Sequence, residues 1–480
     1  MLMGRILLIA AALLICSGSA FAEGLVLQYK VHTVTIDRMQ MHVPAGGATP
    51  QKNTGIPKEE DGTYIVTLFP DAFIVNNGKN TIIYDYPHKR SYSIDEAGKQ
   101  FTAQSLYAHV VFKGAERNNR LLMRKALGAA FAGGKDKAAI PEGAVQTELE
   151  IDTALAGEKN ATTSAQVTAG KQDDKNTFSA DGKVMAEFTA SDTPLPASLR
   201  RSYARFIVYQ QLAHPVVKKA LYSDAAVFKT LHYTHKDMGR ERTGDWTLQN
   251  ASASTAASPL PLSGYTEVIS DNPQLDSAIK KSRAAPAPSV GDYNKKIQSY
   301  LDRKDNIRAV LAAMDMTITH SADAMEKAPA AIAAFKSSGT DAGARSILSA
   351  VARPPRSPEE FTQMVAAMDN VRAAAPDYAY LLDLYQANHA GSWMRVHGKV
   401  PAGSITTAKQ AMEALQGAII HNPWAAGAYM DLAGIYFQSY DMARAWALFD
   451  EARRLNDSMP QMKGLAQMQA QAETDYAEYF

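Results

Sequence analysis

By residue type, His232 and His235 in the run LHYTHKD come nearest to a metal site. A spacing of three on a strand sends the two imidazoles to opposite faces, a poor arrangement for one ion. They read as structural histidines on a wet sheet face. His389 and His397 flank Trp393 and Arg395 in the stretch His389 to Ile405. That stretch reads as a binding loop or as a loop pinned to its scaffold by an aromatic. Glu59, Glu60 and Asp61 make the densest acidic run, which reads as a solvated turn rather than a general acid/base pair. The chain has no His-Glu-x-x-His, no phosphate loop and no Gly-x-Ser-x-Gly. Those are the arrangements that metal-assisted hydrolysis, phosphate cradling and serine catalysis use.

Ser270-Asp271-Asn272 and Ser277-Ala278-Ile279-Lys280 are similar to two motifs of penicillin-binding enzymes. Here they stand in reversed order, almost touching, and no Lys-Thr-Gly follows, so both read as chance. The expectation is a chain that is not an enzyme, with no cofactor and no metal. A hydrolase would need a Ser, His or Asp cluster drawn together from distant segments.

Composition narrows the class. The 480 residues allow two to four domains, and 46% hydrophobic with 21% charged residues is ordinary for a globular chain. A formal charge of +1 provides no field to steer toward nucleic acid. Residues 1–22 read as a cleavable signal peptide: Arg5, an apolar run Ile6 to Ile15, then Ala20-Phe21-Ala22 before Glu23. Cys16, the single cysteine, would leave with it, and the large Ile15 before it speaks against a lipid anchor. The mature chain would then hold no disulfide, which suits a periplasmic or secreted location, the periplasm first. No later run is long enough for an integral membrane segment.

Elements follow from periodicity. Leu25 to Asp37 alternates apolar and polar residues as a half-buried strand does. Shorter strands are expected over Thr63 to Phe69, Ala72 to Val75, Thr81 to Tyr86 and Ser91 to Ile94, an antiparallel meander with one wet face. Gln104 to Phe131 reads as a helix and Gly133 to Gly143 as a loop. Val145 to Ile151 and Thr163 to Thr168 read as further strands. Thr177 to Ala180 and Lys183 to Thr189 form a hairpin around Asp181-Gly182. Pro194 to Leu221 reads as one helix with a kink at Pro215, and Val227 to His235 with Asp245 to Ala251 close the β-rich part. After Gly291 nearly every segment has helical period. Ser357-Pro358-Glu359-Glu360 is a well-formed helix start.

Ala428 to Asp457 places Tyr429, Leu432 and Tyr436 on a first helix and Ala445, Phe449 and Ala452 on a second. It resembles a tetratricopeptide repeat, in which small and bulky positions are set so that helix pairs stack. Ala411, Leu415 and Ala418 repeat the second-helix pattern upstream, with Tyr378, Leu381 and Tyr385 on the helix before the His389 to Ile405 insertion. Tyr440 stands at the turn where the family commonly has Gly, and Asp457 replaces the terminal proline. The resemblance implies a helical solenoid whose groove is lined by first helices. By position that face here is Gly427, Met430, Gly434, Phe437 and Gln438, and Met430 and Phe437 are the candidate contacts. The β-rich part is weakly similar to periplasmic lipid- or lipoprotein-carrier folds, in which a curved antiparallel sheet cups helices.

The expected whole is an α+β multidomain chain. An antiparallel β-rich domain with packed helices occupies 23–265, a linker 266–290, and an α-helical tetratricopeptide-like solenoid 291–480. The expected role is a binding or scaffold protein that takes a protein or peptide partner through Met430, Phe437, Gln438, Trp393 and Arg395. The second reading is a lipid or lipoprotein carrier or sensor with an apolar cavity in the β domain.

Overall fold

A computed structural model describes residues 24–37, 56–132, 167–180, 183–210, 212, 215–223, 226–237, 240–254, 262–320, 322–397 and 407–480. The expected signal peptide, the expected loop 133–143, the expected strand Val145 to Ile151, the expected Asp181-Gly182 turn and the end of the expected 389–405 insertion lie outside these residues. The chain is an α+β multidomain protein of two compact units, 1–267 with 467–480, and 268–466.

Among the described residues unit one has twelve strands in one sheet. They are β1 (Leu25–Asp37), β2 (Lys58–Phe69), β3 (Ala72–Asn76), β4 (Thr81–Asp85), β5 (Arg90–Asp95), β6 (Gln100–Ser105), β7 (Val167–Gln172), β8 (Lys175–Ala180), β9 (Lys183–Pro194), β10 (Ala226–Asp237), β11 (Arg240–Ala253) and β12 (Thr266–Glu267). Their order across the sheet is β12-β6-β5-β4-β3-β2-β1-β11-β10-β9-β8-β7, antiparallel except for the β12–β6 pair. β1 sits mid-sheet between β2 and β11. Its alternation gives Leu27, Tyr29 and Val31 to the core while Gln28 and Lys30 face solvent, so a slip of one residue would turn every core side chain outward. β6, unpredicted, precedes the helix α1 (Leu106–Ala132).

The expected single helix from Pro194 is broken. β9 runs to Pro194, a short 3-10 turn covers Ala197–Leu199, and two helices follow, α2 (Arg200–Tyr209) and α3 (Pro215–Ser223). Pro215 opens α3 at a position that needs no amide donor, so it starts a helix instead of bending one. α2 is buried on most of its surface and packs on β2 and β3. Ser202 Oγ donates to the Phe69 carbonyl, and the Phe228 amide donates to the Tyr203 hydroxyl at 2.9 Å. Phe206 of α2 meets Tyr29, Phe73 and Trp246, with Phe228 stacked on Tyr29 at 4.7 Å. All five rings are buried. The space between α2 and the centre of the sheet is therefore filled by rings, where the carrier reading expected an apolar cavity.

Unit two is helical. Its helices are α4 (Pro273–Ala284), α5 (Val290–Asp302), α6 (Asn306–His320), α7 (Pro329–Ser337), α8 (Ala342–Ala352), α9 (Pro358–Ala374), α10 (Ala379–His397), α11 (Ala408–His421), α12 (Ala426–Gln438) and α13 (Met442–Leu455); α14 (Pro460–Asp475) begins in it. α4 lies where a linker was expected. Asn272 caps it by accepting from the Gln274 and Leu275 amides, Pro273 is its first residue, and Asp276 with Lys281 and Arg283 complement its dipole. α6 is buried on all sides from Ala309 to Met316, as expected for a helix apolar nearly all round, and its one buried carboxylate, Asp315, accepts from the Tyr293 hydroxyl and the Asn422 amide. It packs against α5, α7, α8 and α12. Around α6 the unit is thus a bundle about a central helix, whereas a solenoid stacks only neighbours. The expected break after His389 is absent: α10 continues to His397.

Residues 467–480, expected with the helices, group with unit one. There Glu473 pairs with Lys89 and accepts from the Tyr107 hydroxyl, Arg201 donates to the Phe480 carbonyl at 3.1 Å, and Tyr479 is 1% exposed.

Candidate functional sites

The repeat-like pair α12–α13 turns through Ser439 to Asp441, with Tyr440 at φ 61°. That left-handed conformation is the physical reason for glycine at such a turn. Tyr440 is also 48% exposed. Tyr440→Gly is expected to stabilise unit two by roughly 0.5–1 kcal/mol, read as a higher urea midpoint; a lower midpoint would show that ring packing outweighs the backbone strain.

Along α12 the inward side is Ala428, Tyr429, Leu432 and Ala433, all buried. Met430, Gly434 and Phe437 are half-buried, and Gly427, Asp431 and Gln438 are exposed. Three of the five sequence-predicted residues, Met430, Phe437 and Gln438, therefore share one partly open helix face. Phe437 leans on Phe449, ring centres 6.3 Å apart. A side chain added at Gly417 of α11, or at Gly427 or Gly434 of α12, would meet nothing within 4 Å. Tyr436, expected as a pure packing residue, is half-buried; Gln416 donates to its hydroxyl at 3.2 Å and the Arg444 guanidinium lies 5.5 Å above its ring.

Trp393 is placed elsewhere. It is 7% exposed and packs edge-on to Phe361 at 5.6 Å and against His397 at 4.1 Å. It fills space between helices, which removes it from a surface contact. Arg395 lies on α10, and its side chain is outside the described residues. His389 is buried with an unbonded Nε2, and burial pushes its imidazole below the usual range.

His232 joins a row that the sequence did not disclose. Across the outer face of the sheet the register aligns Asp61, His32, Asp245, His232 and Glu187, one from each of five neighbouring strands. His32 meets Asp61 at 3.0 Å, His232 meets Asp245 at 2.6 Å, and Lys175 closes the row on Glu187 at 2.5 Å. Opposite partners facing each other across strands add modestly to sheet stability. Among the described residues no group of three or more His, Cys, Asp or Glu side chains is arranged to hold a metal.

A second site is a cavity of about 260 Å³ in unit one, lined by residues of β4, β5, β6, α1 and the end of α2. His109 of α1 is half-buried as a whole, yet its Nε2 is sealed from solvent and makes no hydrogen bond. Burial, reinforced by the charge of Lys113 and opposed by Glu116, pushes its imidazole down to about 4. Burial raises the Tyr84 phenol to about 12. Strands β4 and β5 and helical segments over His109 and Tyr209 were legible beforehand, but not β6 or the way these elements meet, which depends on which strands become neighbours.

The chain matches no protein-family profile and no curated protein sequence. No helix among the described residues is long and apolar enough to cross a membrane.

Proposed function

We propose that the protein is an exported, non-catalytic binding protein whose helical unit holds a peptide or protein partner along the outward face of α12. The observation that carries this reading is the register of that helix: Tyr429 and Leu432 are buried while Gly427, Met430, Gly434, Phe437 and Gln438 stay at least partly open. This is the face that the resemblance to tetratricopeptide repeats assigns to a ligand. Bare backbone at Gly427 and Gly434 lets a partner chain approach closely. Met430 and Phe437 offer flexible apolar and aromatic contacts, and Gln438 offers a hydrogen-bonding amide.

Gly434→Leu tests the face directly. Leucine there would fill the open strip and also favour the helix, by roughly 0.5–1 kcal/mol. The full chain, Gly434→Leu, Phe437→Ala and a control Gly391→Leu on α10 would each be used to capture partners from extracts of the protein's own cells, read by mass spectrometry. The expected result is a partner held by the parent chain and by the control but reduced at least tenfold by Gly434→Leu and by Phe437→Ala. Equal capture by all four chains would overturn the reading.

A further inference from the structure

The cavity beneath α1 has a definite chemical character. Its floor is one face of β4, β5 and β6. Register sets Phe73 opposite Tyr84, Tyr84 opposite Ser91, and Ser91 opposite Gln104 in one continuous row. The next row sets Ile82 opposite Ser93. Phe73 and Tyr84 stack at 4.4 Å and fill their half of this face. β5 then contributes serine at both positions, and a serine side chain is too short to reach the helices above. The void left there is about 260 Å³.

Leu106 and His109 of α1 and Tyr209 of α2 form the rest of the wall. The rings of Tyr84 and Tyr209 lie 4.5 Å apart at 49° and make a single aromatic surface. Tyr209 is held by donating to the Tyr479 carbonyl at 3.3 Å, and Tyr479 also packs on His109. Ser93 is exposed and marks the open rim.

Three properties select a ligand. The first is charge: among the described residues no Lys, Arg, Asp or Glu lines the cavity, so an ion would lose its hydration there with no counter-charge. The second is hydrogen bonding. Ser91, Ser93 and Ser105 supply hydroxyls and Gln104 an amide. His109 Nε2 is closed even to water, so it is not among the groups a ligand reaches. The third is size and shape. The volume is below the range of about 300–1,000 Å³ common for drug-sized ligands, and an aromatic wall suits the apolar C–H face of a ring.

We propose that this cavity binds one uncharged, hydroxyl-bearing ring of monosaccharide size, either free or as the terminal residue of a glycan. Its C–H face lies on Tyr84 and Tyr209, and its hydroxyls bond to Gln104 and the serines.

The test uses the full chain. Saturation-transfer NMR and calorimetry would probe D-glucose, D-galactose and N-acetyl-D-glucosamine, each also as its methyl glycoside, with D-glucuronate as the charged control. The expected result is saturable millimolar binding of at least one neutral sugar, with glucuronate at least tenfold weaker. Ser91→Leu, which fills the void, abolishes the signal, and Gln104→Leu, which removes the amide, weakens it about tenfold. Equal binding of a sugar and its methyl glycoside assigns a terminal glycan residue, and binding of the free form alone assigns a free sugar. No saturable binding by any neutral sugar would overturn the proposal, as would glucuronate binding equally well or binding unchanged in both variants. Thermal unfolding of each variant checks its fold, and Ser91→Leu decides alone if Gln104→Leu fails to fold.

Discussion

Replacing Glu451 with alanine is expected to destabilise the helical unit by about 3 kcal/mol, the lower end of the range for breaking a buried ion pair. Glu451 is 3% exposed on α13. Arg283 of α4 donates to its Oε1 through Nε at 2.8 Å and also through Nη2, and Arg454 donates to its Oε2 at 2.9 Å. Arg454 also donates to the Ser282 hydroxyl at 2.7 Å and the Ser282 carbonyl at 3.1 Å. One carboxylate thus ties α4 to α13. The arginine side chains are 35% and 37% exposed, so water screens part of the attraction and holds the loss at the lower figure. Alanine would leave two guanidinium groups facing each other without their acceptor. In thermal unfolding the helical unit should melt roughly 6–12 °C lower. Glu451→Gln, which keeps the shape and an acceptor, should lose less. A loss under about 1 kcal/mol for alanine would mean that solvent already satisfies the arginines.

Acid should weaken the β unit through His109. Its imidazole titrates at about 4 in the folded protein, against about 6.5 when unfolded. Above that unfolded value both states are neutral and His109 costs nothing. Between about pH 6.5 and 4 the unfolded chain takes up a proton that the folded site refuses, so stability falls by up to ~1.4 kcal/mol per pH unit. The loss amounts to about 2 kcal/mol at pH 5 and about 3 kcal/mol near pH 4. Lys113 acts in the same direction and Glu116 against it, while Tyr209 and Tyr479 contribute ring faces. Hydrogen exchange at the β1 amides at pH 7 and pH 5 would report opening of this unit apart from the helical one, where His389 titrates in the same direction. His109→Phe should remove about 2 kcal/mol of the parent's loss at pH 5. An equal loss in both chains would refute the assignment to His109.

Much of the architecture was legible because it is local. The alternation of Leu27, Tyr29 and Val31 with Gln28 and Lys30 marks β1 with its correct inner face. Ser357 caps α9 by accepting from the Glu360 amide, with Pro358 as the first residue, as the signature Ser-Pro-Glu-Glu implies. On α12, 3.6-residue periodicity suffices to separate Tyr429 and Leu432 from Met430 and Phe437. The elements that were misread lie where local signals conflict. Gln100 to Ser105 carries little apolar alternation and becomes a strand because β5 is there to pair with it. Pro215 opens a helix where it was expected to kink one.

By itself, then, the sequence determined the fold class, most elements and their inward faces, since these follow from the chain's own period, caps and turn residues. Tertiary structure alone decided who meets whom. It set Arg283 against Glu451 across 168 residues, aligned Asp61, His32, Asp245 and His232 in one row, and buried Trp393 between helices. It also brought Ser91, Gln104, His109 and Tyr209 around one cavity. Such pairings depend on strand order and helix docking, which reward contacts distant in sequence and leave no periodic trace in it.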